Sequence, residues 1–206
     1  MNRRSLLKVA LAMSSGAALI AQNPPAAGRG AAPRRSSFSV TSTAWPDGGE
    51  VPLKHASRFE NKSPAFEFHW NAGSNPGSAP ENLQTYTVIH HDTDNSTNKT
   101  TADTLHWTVY NIPGTAKGLP EGLGAGDLPD GPRNGPGNNS ASGGTPSYDG
   151  PGAGPGKLHH YLFEFYALDT KLDLPANTTR EDLLKAMDGH VIGKTAWFGL
   201  FHGPSQ

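Results

Sequence analysis

Apolar and polar side chains alternate in several short runs along this chain, and the alternation predicts strands. Phe38-Ser39-Val40-Thr41-Ser42 and Phe66-Glu67-Phe68-His69-Trp70 change character at nearly every residue. A strand with one buried face has this period, because successive side chains leave opposite faces. Thr85 to His90 and His106 to Ile112, rich in β-branched and aromatic residues, read as two more strands. Leu158 to Leu168 alternates for most of its length and puts His159, Tyr161, Phe163 and Phe165 on one face. Thr195 to Phe201 predicts a closing strand. One helix is signalled by Thr178-Thr179-Arg180-Glu181, which has the form of a capping box. Leu183, Leu184 and Met187 supply its apolar face, and Gly189 stands where a helix stop belongs. The connecting loops are dense in Gly, Pro, Asn and Ser. The longest, Gly114 to Gly156, has a length that implies either function or disorder.

Composition narrows this to one mainly β domain. The chain has 206 residues, 34% of them hydrophobic, with 25 Gly and 18 Pro, a balance that favours strands joined by long loops over a helix bundle. Net charge is −1, from 17 basic and 18 acidic residues. No basic stripe follows the N-terminus, so no nucleic-acid partner is expected. Cysteine is absent, which excludes disulfides, thiol catalysis and Cys-based metal sites.

The first residues change the picture again. Asn2-Arg3-Arg4-Ser5-Leu6-Leu7-Lys8 precedes the moderately apolar runs Val9 to Met13 and Gly16 to Ala21. A basic start, an apolar stretch and small residues at its end form a secretory signal, and the paired arginines resemble a twin-arginine leader. The alternative is an uncleaved anchor, against which the shortness of the apolar run argues. The expected organisation is a signal peptide over residues 1–21, a disordered Pro-, Ala-, Gly- and Arg-rich linker over 22–35, and a folded domain over 36–206. The protein is expected to be exported, periplasmic or extracellular.

Three histidine clusters sit at strand ends: His90-His91-Asp92-Thr93-Asp94, His106-Trp107 and His159-His160-Tyr161. Strand ends on one sheet edge converge, so the three clusters can share a cavity. A carboxylate beside an imidazole favours the charged ring and sets its tautomer, and such a pair can bind a small anion. The plainer alternative is that each histidine is a strand-end residue satisfied by backbone. The Gly- and Pro-rich run Tyr148 to Lys157 does not fit a phosphate loop. Pro151 stands where its first Gly is needed, Leu158 replaces Ser or Thr, and the segment leads into a strand. G-x-S-x-G and H-E-x-x-H are missing. Two imidazoles and a carboxylate, His106, His159 and Asp92, suit zinc chemically, but their spacing does not demand a metal.

Taken in order, Asp92-Thr93-Asp94, His106 to Pro113, Tyr148 to Pro151, His159 to Asp169 and Gly189-His190-Val191 resemble the phosphatidylethanolamine-binding protein family, and its bacterial Raf-kinase-inhibitor-like branch in particular. The resemblance runs from about Phe38 to Phe201. It implies a large central antiparallel-type sheet, a smaller sheet, a C-terminal helix and a small anion pocket for phosphate or a phospholipid head group. By position it implies ligand-binding roles for Asp92, Asp94, His106, Gly150, Pro151, His159 and Tyr161, with Trp107 and Tyr148 as apolar walls. It implies no cofactor and no catalytic residue. Thr93 replaces the family's proline between the aspartates, so a more flexible rim is expected. His160 replaces a frequent arginine, exchanging a permanent charge for a titratable one. The expected function is therefore a non-enzymatic binding protein. Two alternatives remain open: an inhibitor or modulator of a protein partner (kinase or protease), and a His/Asp hydrolase or lyase. The sequence does not fix the oligomeric state.

Overall fold

The computed structural model describes residues 37–72, 75–96, 99–175 and 178–204. The expected signal peptide, the linker and the domain's expected first residue, Ser36, lie outside these. The strands are β1 (Ser37–Thr41), β2 (Gly49–Glu50), β3 (Phe66–Ala72), β4 (Asn75–Pro76), β5 (Thr85–Ser96), β6 (Asp103–Pro113), β7 (Gly118–Leu119), β8 (Arg133–Asn134), β9 (Leu158–Leu168) and β10 (Val191–His202). Two helices are α1 (Asn138–Ala141) and α2 (Arg180–Met187). Each expected strand is present, and several run longer than the alternation marks. The expected long loop holds the short elements β7, β8 and α1.

Six strands form the larger sheet in the order β2-β10-β9-β5-β6-β8, and β1, β3, β4 and β7 form the smaller one. All pairings are antiparallel except β10 with β2. The main core fills the space between the sheets. Phe66 of β3 stands 4.8 Å, ring to ring, from Phe165, and Phe68 stands 4.5 Å from Tyr86. These inward rings are the apolar half of each period-two pattern, so alternation in sequence becomes one face in space.

The outer face of the large sheet is also covered. Ile89, Tyr110, Tyr166 and Leu168 pack with Leu172, Leu183 and Met187 in a second apolar cluster. This is why β5 and β9 become buried on both faces over much of their length. Helix α2 supplies Leu183 and Met187, whereas Leu184, expected on its apolar face, is 41% exposed. The cap also differs by one residue from the expected Thr178–Glu181 box. Thr179 is the N-cap, and it exchanges hydrogen bonds with Asp182. Met187 lies about 40° round the helix axis from Leu183 whereas Leu184 lies about 100° from it, so the face that buries Leu183 and Met187 leaves Leu184 turned outward. Gly189 ends the helix with φ 82°, as expected of a glycine stop.

Candidate functional site

Asp92 ends the buried part of β5, His106 lies near the start of β6, and His159 and Tyr161 open β9. Antiparallel pairing of β5 with β9 sets Asp92 opposite Tyr161. Alternation then places His159 on the same face. Alternation alone would put His106 and Trp107 on opposite faces. The β5–β6 register shifts between His90 and His91, so that His90 pairs with Trp107 and His91 with Leu105. His106 is the extra residue of this bulge. A bulge re-aims a side chain, and the His106 ring comes to 5.3 Å from both His90 and Tyr161.

Asp92, His106, His159 and Tyr161 line one cavity of about 300 Å³, together with Arg58, Asn138, Asp149 and Lys157 among others. The Asp92 carboxylate is 3% exposed and fully engaged. One oxygen accepts from His159 Nδ1 at 2.6 Å, and the other accepts from the Asp94 backbone N–H at 2.9 Å. His106 Nδ1 lies 3.2 Å from the Asp149 carbonyl oxygen and 3.6 Å from its carboxylate. Asn138 donates to that same carboxylate at 2.9 Å. Carboxylate and carbonyl oxygens only accept, so Nδ1 carries a proton in both rings. Nε2 therefore accepts when the ring is neutral and donates when it is charged.

Burial pushes the His106 pKa below 6.5, and the charges of Asp149 and Asp92 offset part of that. Burial likewise keeps Tyr161 protonated well above pH 10, although its oxygen accepts the Gly152 N–H at 3.1 Å. Behind His106, His90 is fully buried and stacks on Phe163 at 3.9 Å. Burial holds that ring neutral, and the neighbouring His106 adds to the effect. Arg58 and Lys157 line the cavity without an ion pair among the described residues.

The other expected site residues are placed differently. The Asp94 carboxylate turns to His160, accepting its backbone N–H at 2.6 Å and its ring nitrogen at 2.9 Å. These bonds, the backbone one first, lower the Asp94 pKa. Thr93 donates to the His160 carbonyl at 3.1 Å, so side-chain bonds tie down the segment in which the family's proline is missing. Gly150 packs so closely on the chain around His55 that a Cβ there would lie 1.8 Å from the His55 carbonyl oxygen. Pro151 accepts from the Ser57 N–H at 3.0 Å and lines a neighbouring cavity. The two expected walls are core residues instead. Trp107 donates to Asn134 Oδ1 at 2.6 Å, and the Tyr148 hydroxyl donates to the His55 carbonyl at 3.0 Å. No group of three or more His, Asp or Glu side chains among the described residues is arranged to hold a metal ion, so His106, His159 and Asp92 do not make one. Sequence reasoning missed Arg58 and Lys157, which sit in loops, and Asn138, which opens the four-residue α1; none of the three belongs to a periodic run. Asp149 was within reach, because it lies inside the Tyr148 to Pro151 motif.

Comparison with known proteins agrees with this fold. A family model described as phosphatidylethanolamine-binding protein matches residues 41–202. A UPF0098 protein of Methanothermobacter thermautotrophicus is 36% identical over 165 residues, covering 80% of this chain and 98% of that protein. Among solved structures, the phosphatidylethanolamine-binding protein homologue CT736 of Chlamydia trachomatis aligns with TM-score 0.65 and 26% identity, covering 81% of this chain and 97% of its own. Escherichia coli YbcL, described as a member of the mammalian family, aligns with TM-score 0.63 and 26% identity, over 81% and 98%.

Proposed function

The chain belongs to the phosphatidylethanolamine-binding protein family, and from that premise we propose that it binds a small phosphate-like anion in the cavity formed by Asp92, His106, His159 and Tyr161. The observation that carries this reading is the pairing of a buried carboxylate already satisfied by protein donors, Asp92, with cations that form no ion pair among the described residues. Both Asp92 oxygens have protein donors, so the charge of Asp92 orients His159 and need not repel a ligand. Arg58 and Lys157 line the same space without an ion pair among the described residues, and positive charge focused in a cleft favours an anion.

We favour binding over hydrolysis at Ser57, because its hydroxyl donates to the Pro151 carbonyl at 3.2 Å rather than to a histidine, and no histidine stands ready to activate that hydroxyl. Export of the domain by the leader-like residues 1–21 is part of the same proposal, and cell fractionation with an Arg3→Lys, Arg4→Lys double variant tests it.

Calorimetric titration of the folded domain with inorganic phosphate tests the binding reading. Saturable binding is expected, with its loss in His159→Ala while circular dichroism stays unchanged. Folded wild-type protein that takes up no phosphate, or a His159→Ala variant that binds as well as wild type, would overturn it.

A further inference from the structure

The polar cavity holds a second carboxylate, and its situation differs from that of Asp92. Asp149 stands in the loop that leads to β9, and its side chain, 16% exposed, lines the cavity. One of its oxygens, Oδ2, is engaged. Asn138 donates to it at 2.9 Å, and His106 Nδ1 lies 3.6 Å away. The other, Oδ1, has no protein donor among the described residues and is not sealed from solvent. Asp92 by contrast has both oxygens filled. The cavity therefore offers Arg58 and Lys157 to an anion and, in the same space, an oxygen that can only accept.

These two demands discriminate between anions. The cavity is about 300 Å³, which leaves an anion held there little room to avoid Oδ1. A bare oxyanion oxygen at that point sets lone pair against lone pair and charge against like charge, with no proton between them. An oxyanion that keeps a proton turns the same contact into a charge-assisted hydrogen bond. Its O–H donates to Oδ1 while its ionised oxygens face the cations. Near neutral pH phosphate retains a proton, whereas sulfate and phosphodiesters retain none. Sulfate and hydrogen phosphate are otherwise alike in size, shape and charge. We propose that Asp149 sets the specificity of this cavity, and that its ligand is a protonated oxyanion, a hydrogen phosphate, in preference to sulfate or a phosphodiester. This rests on the anion-binding reading above and names the class of anion.

The test is calorimetry of the full chain at pH 7 with phosphate, sulfate and dimethyl phosphate, on wild type and on Asp149→Asn. Wild type is expected to bind phosphate roughly tenfold to a hundredfold more tightly than either other anion, the scale of one hydrogen bond to a charged group. In Asp149→Asn the amide oxygen can keep the Asn138 bond while the amide N–H replaces the acceptor and donates to any oxyanion. Losing a negative charge strengthens both inorganic anions, so the ratio carries the information: phosphate and sulfate should come within about threefold of each other. Arsenate, which keeps a proton, and selenate, which does not, repeat the comparison on wild type and need no variant. Equal binding of phosphate and sulfate, no difference between arsenate and selenate, dimethyl phosphate as tight as phosphate, or a preference that survives Asp149→Asn unchanged overturns the assignment while the anion-binding reading stands. If no anion binds, both readings fall.

Discussion

Glu164 offers a prediction whose size follows from the structure. It stands on β9, on the sheet face opposite the cavity, with Lys194 Nζ 2.7 Å from one oxygen and His91 Nε2 3.4 Å from the other. His91 and then Lys194 hold its carboxyl at about 2, against an ordinary 4.5, although burial acts the other way. Such a lowering corresponds to about 3 kcal/mol at 1.36 kcal/mol per pH unit. The realised energy is smaller. His91 Nε2 stands 3.4 Å away without a hydrogen bond of normal geometry, and Lys194 is 52% exposed. Solvent screening roughly halves the figure, to about 1–2 kcal/mol. Glu164→Gln removes the charge with little change of shape. At pH 7 the variant is expected to be less stable than wild type by that amount in urea unfolding. A depressed folded-state pKa contributes stability above the unfolded value and loses it as pH falls toward the folded one. The difference between the two proteins should therefore begin to close below about pH 4.5 and shrink by roughly half or more near pH 3. A difference that stays constant from pH 7 to pH 3, or one that is absent at pH 7, would refute the reasoning.

Three further outcomes follow from the site and its supports. Gly150→Ala places a Cβ 1.8 Å from the His55 carbonyl oxygen, so the rim backbone must retreat by about 1 Å. A loss of about 1–3 kcal/mol in chemical unfolding is expected, together with weaker phosphate binding, because Asp149 moves with the rim. Leu183→Ala empties a fully buried position in the cluster under α2 and should cost about 2–5 kcal/mol by the same measurement. Sulfate, which stays fully ionised near neutrality, should bind more tightly as pH falls through and below 6.5. Burial lowers the His106 pKa, so the ring charges only there, and the added cation attracts the anion; affinity flat from pH 8 to pH 5 would rule this out.

Local chemistry in the sequence was enough to mark the six longer strands and α2, but not the two-residue strands or α1. A period of two in Phe66 to Trp70, or the inward face His159, Tyr161, Phe163 and Phe165, depends only on neighbours along the chain, and burial enforces it wherever the strand pairs. The ordered motifs likewise pointed to Asp92, His106, His159 and Tyr161, and the fold brings these four to one cavity. Tertiary structure decided the rest. Whether Asp94 faces a ligand or His160, and whether Trp107 lines a pocket or bonds to Asn134, depends on partners 66 and 27 residues away. The outer face of β9 looks half-polar in sequence and is partly buried because α2 packs near it. His106 reaches the cavity only through a bulge, which exists as a mismatch between two strands. Arg58 joins the site from a loop 34 residues before Asp92. No periodicity announces such residues, because pairing and loop packing are non-local and are fixed only when the sheets close over the core.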